Sequence, residues 1–331
     1  MILNARIVQC FDDNFRSYTV YIANRDAYSD FLLHVNLCLE SNEDSKRSNR
    51  QNLCQPLTAL ALLLCIHSTM VKAKKSLGQH FLKNSHTAQS IVDAVNPLAK
   101  SIIEIGPGPG ILTDLLLTRD AALTFVEKDD MFAEKLANST ADMDNVKVVH
   151  ADFLKLDLSD LTSDPDTSLV GNFPYNISSQ IVFRMVEYKH LFSELIGMFQ
   201  LEMAKRVVAS PGSKDYGVIS VLTQTAYTGQ IIIHVEPGQF HPPPRVNSAV
   251  IKLVRREDYT LPCSEKWLRK VVKSAFGQRR KMLRNTLKGY IPHELLIEDK
   301  LFTKRPEQLS LDLFYELARI AEDHYNSNDE I

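Results

Sequence analysis

The chain has 331 residues, 44% of them apolar, which gives about two domains of ordinary size and enough apolar surface for a sizeable core. With 38 basic against 40 acidic residues its net charge is −2, so it is neither a disordered polyelectrolyte nor a globally basic nucleic-acid binder. Its longest apolar run at the start, Thr58 to Ile66, is too short to span a bilayer and too far from the terminus for an ordinary signal peptide, so no membrane segment is expected.

Residues 1–69 carry four of the five cysteines (Cys10, Cys38, Cys54 and Cys65) in a spacing that fits no zinc pattern. Met70, followed by Val-Lys-Ala-Lys-Lys, reads as a natural chain start, which makes residues 1–69 an unexplained extension that is spurious or dispensable.

Ser101-Ile-Ile-Glu-Ile is a short apolar strand that runs into Gly106-Pro-Gly-Pro-Gly110 and then the helix-like Ile111–Leu117. Glycine lets a backbone approach a ligand closely, and the helix start beyond it offers free N–H groups. The next strand, Leu123-Thr-Phe-Val-Glu-Lys, ends in Glu127, placed for ribose hydroxyls as in nucleotide-binding βαβ units. A third, Val146-Lys-Val-Val-His, ends in Ala151-Asp152, whose carboxylate is positioned to accept from a cofactor's adenine amino group. NAD and S-adenosylmethionine sites share this plan. The spacing here is G-x-G-x-G rather than the dinucleotide G-x-G-x-x-G, and the shorter turn favours the methionine cofactor, which needs no pyrophosphate contact.

The fourth strand, Ser168-Leu-Val-Gly, delivers Asn172-Phe-Pro-Tyr175. An adenine N6 is a poor nucleophile because its lone pair is delocalised into the ring, and two converging acceptors relieve that. The Asn172 side-chain oxygen is one acceptor, and a backbone carbonyl at Phe173 or Pro174 is the other. Tyr175 offers a face on which an extruded base stacks, worth roughly 1–3 kcal/mol and tolerant of any base.

Farther on, Phe240-His-Pro-Pro-Pro-Arg-Val-Asn-Ser-Ala-Val250 contains three prolines that force a stiff, extended loop. Such a loop is expected to set Phe240 opposite Tyr175, with the adenine between them and Arg245 available for phosphate. Ser210–Gly217 reads as a flexible connector. The last strand, 249–254, is expected to enter antiparallel to its neighbours. From Lys266 to Lys288 there are nine Lys or Arg and no acid. If Gln278–Leu287 is helical, Arg280, Lys281 and Arg284 share one side and Leu283 and Leu287 another. With no counter-charge in the run, it reads as a phosphate surface that includes Arg279.

These motifs resemble the S-adenosylmethionine-dependent rRNA adenine N6,N6-dimethyltransferases of the KsgA type, from about Lys72 to near residue 320. Lys75-Ser-Leu-Gly-Gln-His-Phe-Leu82 is similar to the family's segment that folds over the cofactor, and Phe240–Ser248 is similar to its Phe-x-Pro-Pro-Pro-x-Val-x-Ser segment. The resemblance implies that His80, Leu82, Gly106, Glu127, Asp152 and Asn172 contact the cofactor; without it His80 is only a loop histidine, and it receives no acid–base role. It implies an α/β class I methyltransferase fold over residues 70–257, Rossmann-like with a mostly parallel seven-stranded sheet, then a small α-helical RNA-binding domain over 258–331. No metal is expected, and with no membrane segment or secretory logic in the main body the cytoplasm is the default location. The resemblance further implies a monomer. Its substrate would be two adjacent adenosines in a hairpin loop near the 3′ end of 16S rRNA, within the small ribosomal subunit or its precursor. Competing readings are the large-subunit 23S rRNA methyltransferase of macrolide resistance, a non-catalytic RNA-binding assembly factor, and an NAD-dependent oxidoreductase.

Overall fold

The computed structural model describes residues 4–12, 15–23, 31–35, 78–258 and 260–329. The apolar run Thr58–Ile66 and the expected start at Met70 lie outside them. By contact the chain divides into Met1–Met70 and Val71–Ile331. In the first unit, Asn4–Asp12 (β1), Phe15–Ala23 (β2) and Phe31–Val35 (β3) form an antiparallel sheet in that order.

In the second unit the apolar runs become strands: Ser101–Ile105 (β5), Ala122–Glu127 (β6), Val146–His150 (β7), Thr167–Asn172 (β8) and Phe192–Gln200 (β9). Tyr227–Val235 (β10) and Ser248–Arg255 (β12) complete a seven-stranded sheet in the order β10-β12-β9-β8-β5-β6-β7. Neighbours from β7 to β9 are parallel, and β12 runs antiparallel to both β9 and β10, as the sequence led one to expect. Two-residue strands Phe81–Leu82 (β4) and Phe240–His241 (β11) pair separately.

The sheet is covered on both faces, and the alternation of its strands shows how. Ile103 and Leu169 enter one core cluster while their neighbours Ile102 and Val170 enter another, as a period of two requires. Helix Ser178–Glu187 (α4) packs Ile181, Val182 and Met185 into the first cluster, and Ser85–Asp93 (α1) packs Ala88, Ile91 and Val92 into the other. Thr113–Leu116 (α2), Asp130–Ser139 (α3), Leu201–Val207 (α5) and Val218–Gln224 (α6) fill the remaining crossovers. The chain leaves β5 outward to β6 and β7, then returns to β8 on the other side of β5. The crevice for a ligand therefore opens at the carboxyl ends of β5 and β8.

After β12 the described elements are helical: Glu265–Gly277 (α7), Leu283–Thr286 (α8), His293–Glu298 (α9) and Leu311–Asp329 (α10), with short 3-10 turns between them. Their core, with Trp267, Val271, Leu283, Phe302 and Phe314, also takes in Ala209, Tyr216, Val221 and Leu222 from the first part of the unit.

Two expectations are corrected here. The segment Ser210–Gly217 is not a loose connector: Tyr216 is fully buried, edge-on to Phe276 at 6.1 Å, and Gly212 N–H donates to the Glu307 carbonyl. The basic run is not one helix either. Helix α7 ends at Gly277, a poor helix former, and residues 278–281 make a turn closed by Lys281 N–H on the Gln278 carbonyl at 2.8 Å. Leu283 and Leu287 do share one buried side, but Arg280 and Lys281 project from the turn.

Candidate active site

One cavity gathers the ends of four parallel strands and the segment before β4, and it is lined by all six residues expected at the cofactor: His80, Leu82, Gly106, Glu127, Asp152 and Asn172. In the glycine turn, of which Gly106 and Gly108 line the cavity, Gly106, Gly108 and Gly110 have φ of +68°, +56° and +101°, which side-chain-bearing residues rarely adopt. A Cβ on Gly106 would meet nothing within 4 Å, so the turn presents bare backbone to open space. The turn is held by Glu127, a buried carboxylate that accepts Gly108 N–H at 2.9 Å through one oxygen and the N–H groups of Lys128 and Asp129, each at 2.8 Å, through the other. Asp152 accepts Leu154 N–H at 3.1 Å and pairs with the Lys128 ammonium at 2.9 Å. Partial burial works against its ionisation, but the Lys128 hydrogen bond and the Leu154 N–H outweigh it and hold the carboxyl below its usual range.

Sequence reasoning passed over Glu104, which also lines the cavity. It is buried in β5 and accepts Thr113 Oγ1 at 2.7 Å, and burial raises its pKa to about 8, with Glu127 and Asp114 adding repulsion. The signal was present in the sequence: a lone acid in a run of isoleucines directly before a glycine turn.

The Asn172-Phe-Pro-Tyr turn leaves the end of β8. Asn172 Nδ2 donates to the His80 carbonyl at 2.8 Å, which commits the amide nitrogen and leaves Oδ1 as an acceptor. Of the two backbone carbonyls considered, that of Pro174 already accepts Ile177 N–H at 3.1 Å and keeps a second lone pair. The Phe173 ring is buried, edge-on to Phe199 at 5.2 Å, over two strand glycines. A Cβ on Gly197 would lie 2.2 Å from that ring, and one on Gly171 would lie 2.6 Å from it. Phe173 is thus the anchor that sets the turn. Gly197→Ala is expected to lower stability by about 1–3 kcal/mol, as overpacked cores do, and to reduce turnover by displacing the turn; denaturant melts and steady-state rates together check it.

Tyr175 is braced from behind. Its hydroxyl and the Ser248 hydroxyl are 2.6 Å apart; burial pushes the Tyr175 phenol up, with the Ser248 bond pulling the other way. The His80 ring stacks on Tyr175 at 5.4 Å between centroids, and its Nδ1 lies 2.8 Å from the Pro242 carbonyl.

Phe240 is not where the sequence placed it. It is 1% exposed, pairs in β11 with Leu82 of β4, and packs in the core with Val235 and Val250. A ring so enclosed offers no face to a base. The proline loop meets Tyr175 through Ser248 and His80 through Pro242 instead. Arg245 is exposed on that loop, and Arg280, Lys281 and Arg284 are exposed with no ion-pair partner among the described residues. Arg279 is turned inward: it donates to the Ser213 carbonyl at 3.2 Å and its Nε stands 3.9 Å from Glu307. It braces the Ser210–Gly217 segment.

The lining suits a cationic nucleoside better than a dinucleotide. Acids stand at three successive strand ends, the walls include Ile105, Leu112 and Phe153, and Lys128, already bonded to Asp152, is the sole Lys or Arg among the described lining residues to meet a pyrophosphate.

The model of the family described as "Ribosomal RNA adenine dimethylase" matches residues 70–318. The chain belongs to the ribosomal RNA adenine dimethylase family. It is therefore an S-adenosylmethionine-dependent methyltransferase. Among its relatives, "Ribosomal RNA small subunit methyltransferase A" of Flavobacterium johnsoniae is 45% identical over 250 residues, 75% of this chain and 95% of that protein. The protein of the same name from Bacteroides thetaiotaomicron is 43% identical over 256 residues, 77% of this chain and 96% of that one. Among solved structures, a dimethyladenosine transferase from Plasmodium falciparum shares the fold at a TM-score of 0.61 and 24% identity, covering 72% of this chain and 96% of that one. The 23S rRNA methyltransferase ErmE aligns at 0.55 and 25% identity, covering 72% and 99%. The dimethylase family and the methyltransferase fold expected from the sequence are both found.

Proposed function

We propose that this dimethylase moves methyl groups from S-adenosylmethionine to N6 of two adjacent adenosines in a hairpin loop near the 3′ end of 16S rRNA, in the small ribosomal subunit or its precursor. The observation that carries this reading is the Asn172 amide, its nitrogen bound to the His80 carbonyl and its oxygen left to receive an amino group beside the Tyr175 ring. The names of the relatives favour the small subunit over the large one.

S-adenosylmethionine supplies a methyl group already activated on a sulfonium. Glu127, Asp152, Leu82, His80 and the backbone at Gly106, which line one cavity, would hold it. Asn172 Oδ1 and the carbonyl of Phe173 or Pro174 grip the adenine amino group so that its lone pair leaves conjugation with the ring. Tyr175 fixes the ring plane. Positioning then supplies most of the rate, and no strong base is needed. A second transfer requires the same pocket to accept a monomethylated nitrogen.

Arg245, Arg280, Lys281 and Arg284 bind RNA phosphates. Neutralising Arg280, Lys281 and Arg284 together is expected to weaken RNA binding and to flatten its salt dependence, by about 1 in log–log slope for each phosphate that goes unneutralised. Filter binding across a salt series checks this.

The enzyme acts as a monomer in the cytoplasm; no helix among the described residues is long and apolar enough to cross a membrane. Residues 258–331 serve as its RNA-binding part, and residues 1–69 are dispensable. A chain starting at Met70 is expected to melt and turn over as the full chain does; loss of either property would refute this.

The decisive experiment supplies methyl-labelled S-adenosylmethionine with small subunits lacking native methylation, beside large-subunit RNA. N6,N6-dimethyladenosine in the small-subunit hairpin is the expected product. Label confined to large-subunit RNA would identify the other enzyme class, and no label would leave an RNA-binding factor.

A further inference from the structure

Two parts of the site are joined through a residue that is not in the cavity lining. The segment Gly78–Leu82 lines the cavity and continues into α1, while the proline loop 240–248 braces Tyr175 through Ser248. Between them stands Gln239, half-buried in a 3-10 turn directly before the loop. Its main-chain carbonyl accepts Lys83 N–H at 2.9 Å, and its side-chain Oε1 accepts the Thr87 hydroxyl at 2.6 Å. We infer that Gln239 is a positioning residue for methyl transfer, fixing the proline loop against the segment that lines the cofactor cavity. This inference rests on the methylation reading above.

The two bonds hold the chain on both sides of a helix start. Lys83 directly follows β4, and Thr87 lies in the first turn of α1, where its N–H is capped by the Asn84 side chain at 2.8 Å. Thr87 is buried, so without Oε1 its hydroxyl would be left unsatisfied away from water. The β4–β11 pairing beside them is only two residues long, and the Gln239 bonds extend it. The far end of α1 is fixed as well. The Lys252 ammonium donates to the Ala94 carbonyl at 2.7 Å, and Asn96 N–H donates at 2.7 Å to the buried Glu194 carboxylate, which pairs with Lys252 at 3.2 Å. Lys252 and Glu194 belong to β12 and β9 of the main sheet. With one end held by the sheet and its first turn held by Gln239, α1 sets where Gly78–Leu82 stands.

That segment adjoins both halves of the reaction centre. His80 and Leu82 line the cavity, the His80 carbonyl accepts Asn172 Nδ2 at 2.8 Å, and His80 Nδ1 lies 2.8 Å from the Pro242 carbonyl. At the other end of the proline loop the Ser248 hydroxyl meets that of Tyr175. Hydrogen bonds thus lead from Gln239 through the cofactor segment to Asn172, and the loop leads from Gln239 to Tyr175. Transfer needs the methyl carbon and N6 about 3–3.5 Å apart and in line, and a displacement of about 1 Å can cost about 10²-fold in rate. Gln239 touches neither reactant and acts by holding the groups that do.

The test measures single-turnover methyl transfer to unmethylated small subunits at saturating RNA and S-adenosylmethionine, with cofactor affinity by calorimetry and RNA KM from steady-state rates. Gln239→Ala and Thr87→Val are each expected to slow transfer about tenfold, the cost of a shift of about half an ångström, while cofactor affinity and RNA KM stay within about twofold. Gln239→Glu keeps an acceptor oxygen for Thr87 and should recover most of the rate. The double variant Gln239→Ala/Thr87→Val should be no slower than either single one, because both remove the same bond. Saturated rates equal to wild type, a loss confined to KM or cofactor affinity, a Glu variant no faster than Ala, or single effects that multiply in the double variant would each overturn the proposal. If Thr87→Val fails to fold, the Ala and Glu variants of half-buried Gln239 still decide. Absence of dimethyladenosine with wild type itself would instead sink the reading of the reaction.

Discussion

Asn172→Ala is expected to bind S-adenosylmethionine nearly as tightly as the parent and to lose methyl transfer by about 10²–10³ or more, the effect of removing one pre-aimed polar group from a reaction centre. The structure explains the split. The cofactor cavity is built mainly from Glu127, Asp152, the glycine turn and the β4 segment, while the Asn172 amide is oriented by a backbone carbonyl toward the place where an amino group must sit. Calorimetric cofactor affinity beside single-turnover rates checks it. Normal turnover by the variant would overturn the assignment of the reaction centre.

The second large effect concerns Glu104. Its pKa is raised to about 8 because burial disfavours the carboxylate, and Glu127 and Asp114 repel it. In the unfolded chain a glutamate titrates near about 4.3. Between these values the native state keeps a proton that the unfolded state has released, so stability falls as pH rises through that window. Below it both states are protonated, and above it both are ionised; the dependence on this group then vanishes. Glu104→Gln, which retains the shape and a partner for Thr113, should match wild type near about pH 4 and exceed it by a few kcal/mol near pH 9. Denaturant titrations of both proteins across that range measure the difference. Parallel curves would mean that Glu104 is ionised in the native protein.

What the sequence made legible was local chemistry. The lone glycine turn, the acids at successive strand ends and the Asn172–Tyr175 turn each follow a short apolar run, and a parallel sheet brings such run ends to one edge. Long-range pairing was hidden. Phe240 looked like a loop aromatic because nothing near it in the chain announces its pairing with Leu82, over 150 positions earlier. Arg279 looked like its basic neighbours, and only Ser213 and Glu307, brought beside it by the helical core, turn it inward. Tyr216 sits among turn residues, and its burial depends on Phe276, in a helix that follows the last strand of the sheet. The break after Gly277 was overlooked because the charge pattern alone fits a helix.

The strand that delivers Asn172 lies inside the sheet, bonded to β5 on one side and β9 on the other, with Phe173 sunk between glycines of two strands. Active-site turns often sit on mobile loops that open independently. Here the turn is fastened to the interior of the sheet through the buried Phe173 ring, so denaturant or heat is expected to disturb the Asn172 amide only when that part of the sheet opens.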